Sequence, residues 1–158
     1  MMRDEDDLLV RRHFLAGWWL LLVFVAMGTT LEAFHGLKAG FYLDLGNATR
    51  RLMWTLAHAH GVLLGLVNIA FAVTLQSRGM RADKARITSA SLLGASVLLP
   101  GGFLLGGIVV YGGDPSLGVL LTPVGAVLLL VAALFVVRSM GKRTSEPTEK
   151  PARQPKRR

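Results

Sequence analysis

His58 and His60 lie two residues apart inside an apolar run, 52–75, that holds Asn68 but no charged residue. An imidazole in such a run can ligate a metal ion or a haem iron, move a proton, or hydrogen-bond between packed helices. Glu32 lies near the end of an earlier apolar run, 14–34, and His35 just beyond it. Both pairs can reach one side of a folded chain, which makes a cluster of three histidines and one carboxylate geometrically accessible. A transition-metal ion would use the convergent set His58, His60, His35 and Glu32. A haem would use an apolar slot and one or two imidazoles, with His60 as the first ligand and His58, His35 or a symmetry-related His60 as the second. His13, the fourth histidine, falls at the opposite end of its run and is left out of this cluster.

Helical spacing divides the pair. Trp54, His58, Gly61, Gly65 and Asn68 recur at three or four and share one face, which is polar and small and suits contact with another helix or with a cofactor edge. His60 is about 200° away, among Leu56, Leu63, Leu64 and Val67. There it faces a different helix or an apolar ligand, because lipid does not solvate an imidazole.

The segment His58-Ala59-His60-Gly61-Val62-Leu63-Leu64-Gly65 resembles the second transmembrane helix of haem-copper oxidase catalytic subunits, where a His-Gly-aliphatic stretch ligates the low-spin haem. It also resembles small bacterial membrane proteins with a His-x-His-x4-Gly helix after a first helix ending in a carboxylate. The resemblance implies His60 as an axial haem ligand. It covers about fifteen residues, and an oxidase would need further histidines for a second axial position and for copper. The runs at 87–111 and 117–137 contain none, so an oxidase activity is excluded on ligand count.

The elements that must position these residues are four apolar runs, 14–34, 52–75, 87–111 and 117–137. Each is long enough, at roughly 20 residues, to cross a hydrocarbon core as a helix. None alternates with period two as a barrel strand would. The fold class expected is all-α, an integral membrane four-helix bundle of two antiparallel helical hairpins occupying 14–138. Residues 1–13 are expected to form a cytoplasmic N-terminus and 139–158 a disordered basic tail with nothing apolar to bury.

Charge placement orients the bundle. Lysines and arginines number three before the first run, three between the first and second, four between the second and third, none in the last loop and eight from Arg138 onward. Alternate sides therefore carry fifteen and three, which puts both termini in the cytoplasm. Arginine-rich, Ala/Gly/Leu-rich composition suits a bacterial source and hence a bacterial cytoplasmic membrane. Arg11-Arg12 before an apolar stretch is also the shape of a twin-arginine export signal, but three further spans follow where a soluble cargo would be expected.

Composition removes other classes. Half the chain, 52%, is hydrophobic, too much for a water-facing surface, and the absence of cysteine excludes disulfides, thiolate metal sites and thiol catalysis. The net charge of +8 does not mark a nucleic-acid binder: seven of the 18 basic residues fall in the last 17 positions and the others flank apolar runs. Such charge suits anionic lipid, above all at the C-terminal tail. Within the third run, Ser91, Ala95, Gly102 and Gly106 let helix backbones approach closely, Pro100 is expected to kink it, and Asp114 with Pro115 is expected to start the fourth helix.

Two roles follow. In the first the protein is non-catalytic and holds haem or a metal ion at the His/Glu cluster. In the second it is a structural or accessory subunit packed beside a respiratory or transport complex, or a homo-oligomer. It is expected to be an enzyme only as a haem or metal electron carrier.

Overall fold

The computed structural model describes residues 2–44 and 48–141, with side chains described for 7–44 and 48–140. It is helical almost throughout: α1 Met2–Gly36, α2 Thr49–Arg78, α3 Ala82–Gly106 and α4 Leu121–Gly141. Each of the four is part of a helical stretch long and apolar enough to cross a membrane.

The helix bounds differ from the apolar runs for local reasons. α1 starts at Met2, so the segment 2–13 expected as a separate N-terminus is helical, because no proline or glycine interrupts it. α2 gains a turn at each end from polar residues that continue its backbone bonding. α3 begins at Ala82 and stops at Gly106, five residues before the apolar run does. Beyond it Gly107 and the β-branched Ile108, Val109 and Val110 disfavour helix. There a short antiparallel ladder forms, β1 Val110–Tyr111 against β2 Asp114–Pro115. It turns through Gly112 and Gly113 at φ 56° and 98°, a conformation that suits glycine.

Asp114 is therefore paired in a strand and does not cap the fourth helix. Ser116 takes the connecting role instead: its N–H donates to the Gly106 carbonyl at 3.0 Å and its hydroxyl to the Leu105 carbonyl at 2.8 Å. A 3-10 turn, Leu117–Leu120, then leads into α4, which runs to Gly141. The expected tail thus begins later than 139, and its remainder, 142–158, lies outside the described residues.

Glycines set how the helices meet. A methyl group on Gly17 of α1 would come within 2.7 Å of the Gly65 carbonyl oxygen of α2, and one on Gly61 would run into the ring of Phe24. On the other side, a methyl on Gly125 of α4 would lie 2.6 Å from the Leu99 amide nitrogen of α3, and one on Gly102 would lie 2.8 Å from the Thr122 nitrogen. Backbone approach at small residues is how apolar helices gain dispersion contacts without a hydrophobic drive. These registers run in opposite senses along each pair, so neighbouring helices are antiparallel.

Packing follows chain order. α1 lies on α2, α2 on α3 and α3 on α4; α1 also touches α3, but α4 makes no comparable contact with α1 or α2. The inner elements are α2 and α3, and the core is built from Leu64, Phe71 and Leu75 of one with Leu92 and Leu99 of the other, joined by Ala132 of α4. Half of the apolar window of α3 is buried, against 11% of that of α4. The assembly is thus a row flanked by α1 and α4 more than a closed square.

Candidate functional site

Three helices converge on His13, which is 0% exposed, as is Asn68 of α2. His13 Nδ1 lies 2.7 Å from Asn68 Oδ1 and its Nε2 lies 2.8 Å from Ser89 Oγ of α3. The Asn68 amide nitrogen donates at 2.8 Å both to the Leu64 carbonyl and to Ser96 Oγ, whose hydroxyl in turn donates to the Leu92 carbonyl at 2.7 Å.

Donor and acceptor roles are fixed along this chain. A carbonyl only accepts, so the amide nitrogen of Asn68 faces Leu64 and its oxygen faces His13. His13 must then donate from Nδ1, and Nε2 accepts from the Ser89 hydroxyl. An edge-to-face contact with Phe71 completes the packing of the His13 ring, at 4.7 Å between centroids and 87° between planes. Among the described residues every buried side-chain nitrogen or oxygen has a partner. Satisfied to this degree, a polar network specifies one helix register where apolar contacts alone would allow several.

Sequence position sets His13 apart from the other histidines but does not by itself show its burial. The signal was present: His13, Gly17, Phe24, Gly28 and Leu31 recur at three, four or seven on α1, and all but Phe24 are buried. Taken with the Trp54–Asn68 stripe of α2, that stripe defines the seam. The α2 stripe suits either a helix or a cofactor edge; most of it meets α1.

His58 belongs to this seam. Its Nδ1 lies 2.6 Å from the Phe24 carbonyl oxygen of α1, where the ring N–H donates. Gly28 makes room for the ring, since a methyl there would lie 2.6 Å from that nitrogen. Trp54 turns to α3 and donates from its indole to the Leu104 carbonyl at 3.2 Å. Beside it Arg50 donates to the carbonyls of Gly107, at 3.2 Å, and Phe41, at 2.9 Å. The Gly107 carbonyl just past α3 and the Phe41 carbonyl of the α1–α2 loop thus gain a donor, and the Leu104 carbonyl accepts the indole beside the Gly107 N–H.

His60 points elsewhere. Its Nδ1 lies 2.8 Å from the Leu56 carbonyl of its own helix, and its ring packs on Phe103 of α3 at 4.9 Å. It lines a cleft of about 230 Å³ with Phe103, Pro123 and Ala126. With Nδ1–H donated to a carbonyl, Nε2 holds the lone pair, the arrangement by which a second-shell acceptor prepares an imidazole ligand. Drug-sized ligands fill pockets of roughly 300–1,000 Å³, so the cleft as shaped is too small to enclose a whole haem.

Glu32 and His35 are both exposed. His35 lines a separate cleft of about 450 Å³ with Tyr42, Arg51 and Thr55, where the arginine cation works against a metal ion. Among the described residues no three His, Asp or Glu side chains come together as a metal site requires. The set His58, His60, His35 and Glu32 is thus not assembled: His58 faces α1, His60 faces α3, and the other two lie at the surface. The reason is helical phase, since an i, i+2 pair points to nearly opposite sides.

The chain matches no protein-family model, no curated protein and no solved structure.

Proposed function

We propose that the chain is a four-span protein of a bacterial cytoplasmic membrane, with both termini in the cytoplasm, that serves as a non-catalytic accessory or structural subunit beside a larger membrane complex. One observation carries the reading: the polar groups at membrane depth hold the protein's own helices together, while α1 and α4 keep broad apolar faces without a partner. His13, Asn68, Ser89 and Ser96 are used internally, whereas Trp18 and Leu130 stay 64% and 70% exposed. The basic residues at 142–158 suit the anionic surface of the inner leaflet.

Orientation is tested in this cysteine-free chain by single cysteines. Gly40→Cys and Asp114→Cys are expected to react with an impermeant thiol reagent applied to intact cells, and Arg81→Cys is not. All three positions are exposed, and the fifteen-to-three charge asymmetry motivates the assignment. Labelling at position 81 from outside reverses the topology.

A second reading keeps His60 as a haem ligand. It is supported by the Nδ1–H bond to Leu56 that leaves Nε2 available, and it requires the second ligand and the rest of the slot from another copy or subunit. Haem would supply electron transfer; His60 would bind and orient it. Two measurements test the two readings. A photo-crosslinking residue at Leu130 is expected to give an adduct with a larger membrane protein in native membranes, and adducts with lipid or itself alone overturn the accessory role. The absorption spectrum of the purified protein decides the haem reading, which stands on a Soret band that His60→Ala abolishes and falls on a featureless visible spectrum.

A further inference from the structure

We infer that the groove between α1 and α3 binds one anionic phospholipid of the inner leaflet, an assignment that rests on the four-span topology proposed above. The groove measures about 390 Å³ and runs from Arg12 past Trp19 to Phe24 on α1, with Leu93, Ser96 and Val97 of α3 forming its other wall.

Three features select the occupant. Its length along α1 is twelve residues, or about 18 Å at 1.5 Å per residue, close to the ~15 Å depth of one leaflet. The groove therefore ends near the bilayer midplane, as an acyl chain does. Its walls are apolar: the one hydroxyl, Ser96, already donates to Leu92 and accepts from Asn68, so no unmet donor calls for a polar head at depth. Its end carries Arg12, which lines it and is exposed, as is its chain neighbour Arg11, at the depth where the proposed topology puts a lipid phosphate.

Charge also disfavours a second copy. A parallel copy seated in the groove would set Arg12 against Arg12, a like-charge contact with no acidic residue lining the groove to relieve it. Trp19 and Val97 flank the opening and are 63% and 69% exposed, so the slot is open from the lipid side.

The test uses the full-length protein in nanodiscs of equal parts dioleoylphosphatidylglycerol and dioleoylphosphatidylcholine, released and weighed by native mass spectrometry. One retained phosphatidylglycerol is expected. Arg12→Gln should reduce the preference for phosphatidylglycerol about fivefold, which is what ~1 kcal/mol per basic residue near the surface amounts to. Val97→Trp fills the groove from an exposed position without changing charge, and should lower retention of that lipid by at least as much. The basic tail attracts anionic lipid in every variant, so it cannot imitate the effect of Val97→Trp. Equal retention of the two lipids, an unaffected Arg12→Gln or Val97→Trp variant, or a dimer in place of the lipid adduct each overturns the assignment. If the cysteine labels at positions 40, 81 and 114 still report the proposed topology, the failure belongs to the groove alone.

Discussion

Replacing Asn68 with leucine lowers the stability of the helix assembly by roughly 2–3 kcal/mol. Asn68 ties α2 to both α1 and α3, through His13 on one side and Ser96 on the other. Leucine leaves the His13 Nδ1–H buried without an acceptor, and an orphaned donor costs about 1–3 kcal/mol. The loss of the Ser96 bond adds several tenths, in keeping with roughly 0.6 kcal/mol for an average interhelical bond within a bilayer. His13→Leu should cost a similar amount, because it orphans the Asn68 oxygen and gives up the edge contact with Phe71.

The informative measurement is the double variant. Removing both members of a hydrogen-bonded pair eliminates the orphan, so His13→Leu with Asn68→Leu should be less destabilised than the sum of the single changes by about 1 kcal/mol or more. Denaturant unfolding in mixed micelles of the four proteins gives the coupling directly. Strictly additive losses would mean that the two side chains do not act as a pair, and that the network is incidental to helix register.

How much of this was legible in the sequence differs between elements and site. The four helices followed from the apolar runs, because a run of about 20 apolar residues has few other folded forms. Their ends did not, since the runs report apolar character while a helix stops where the backbone does. Residues 2–13 and 139–141 fall outside the apolar runs yet are helical, and 107–111 are mostly apolar yet leave the helix. The site was half legible. The phase of α2 placed His58 and His60 on different faces, but the metal cluster needed both to converge with residues of α1, and sequence distance from a helix end carries no information on azimuth. Position along the chain separates His13 from the other histidines, but only its phase relative to Gly17 and Gly28 shows which way it faces. A histidine at the end of a glycine stripe belongs to the seam that the stripe defines.

The same chemical change is expected to act differently at a glycine of that seam and at one outside it. Gly17→Ala should destabilise the protein by about 2 kcal/mol, and Gly101→Ala should leave it unchanged or stabilise it by up to about 1 kcal/mol. Both positions lie within helices, where alanine is the better helix former, so propensity favours the change at each. The difference is what the new methyl meets. At Gly17 it comes within 2.7 Å of the Gly65 carbonyl oxygen and 2.6 Å of Ile69 Cγ1, whereas at Gly101 nothing lies within 4 Å. The backbone of α2 cannot yield locally at Gly65, so α1 must move away from it. Gly17 is one turn from His13, and the separation therefore also stretches the 2.7 Å bond to Asn68. Unfolding midpoints of the two alanine variants against wild type measure the pair. Equal shifts in the same direction would show that α1 is not seated on α2 at this register, and would take the buried histidine network with it.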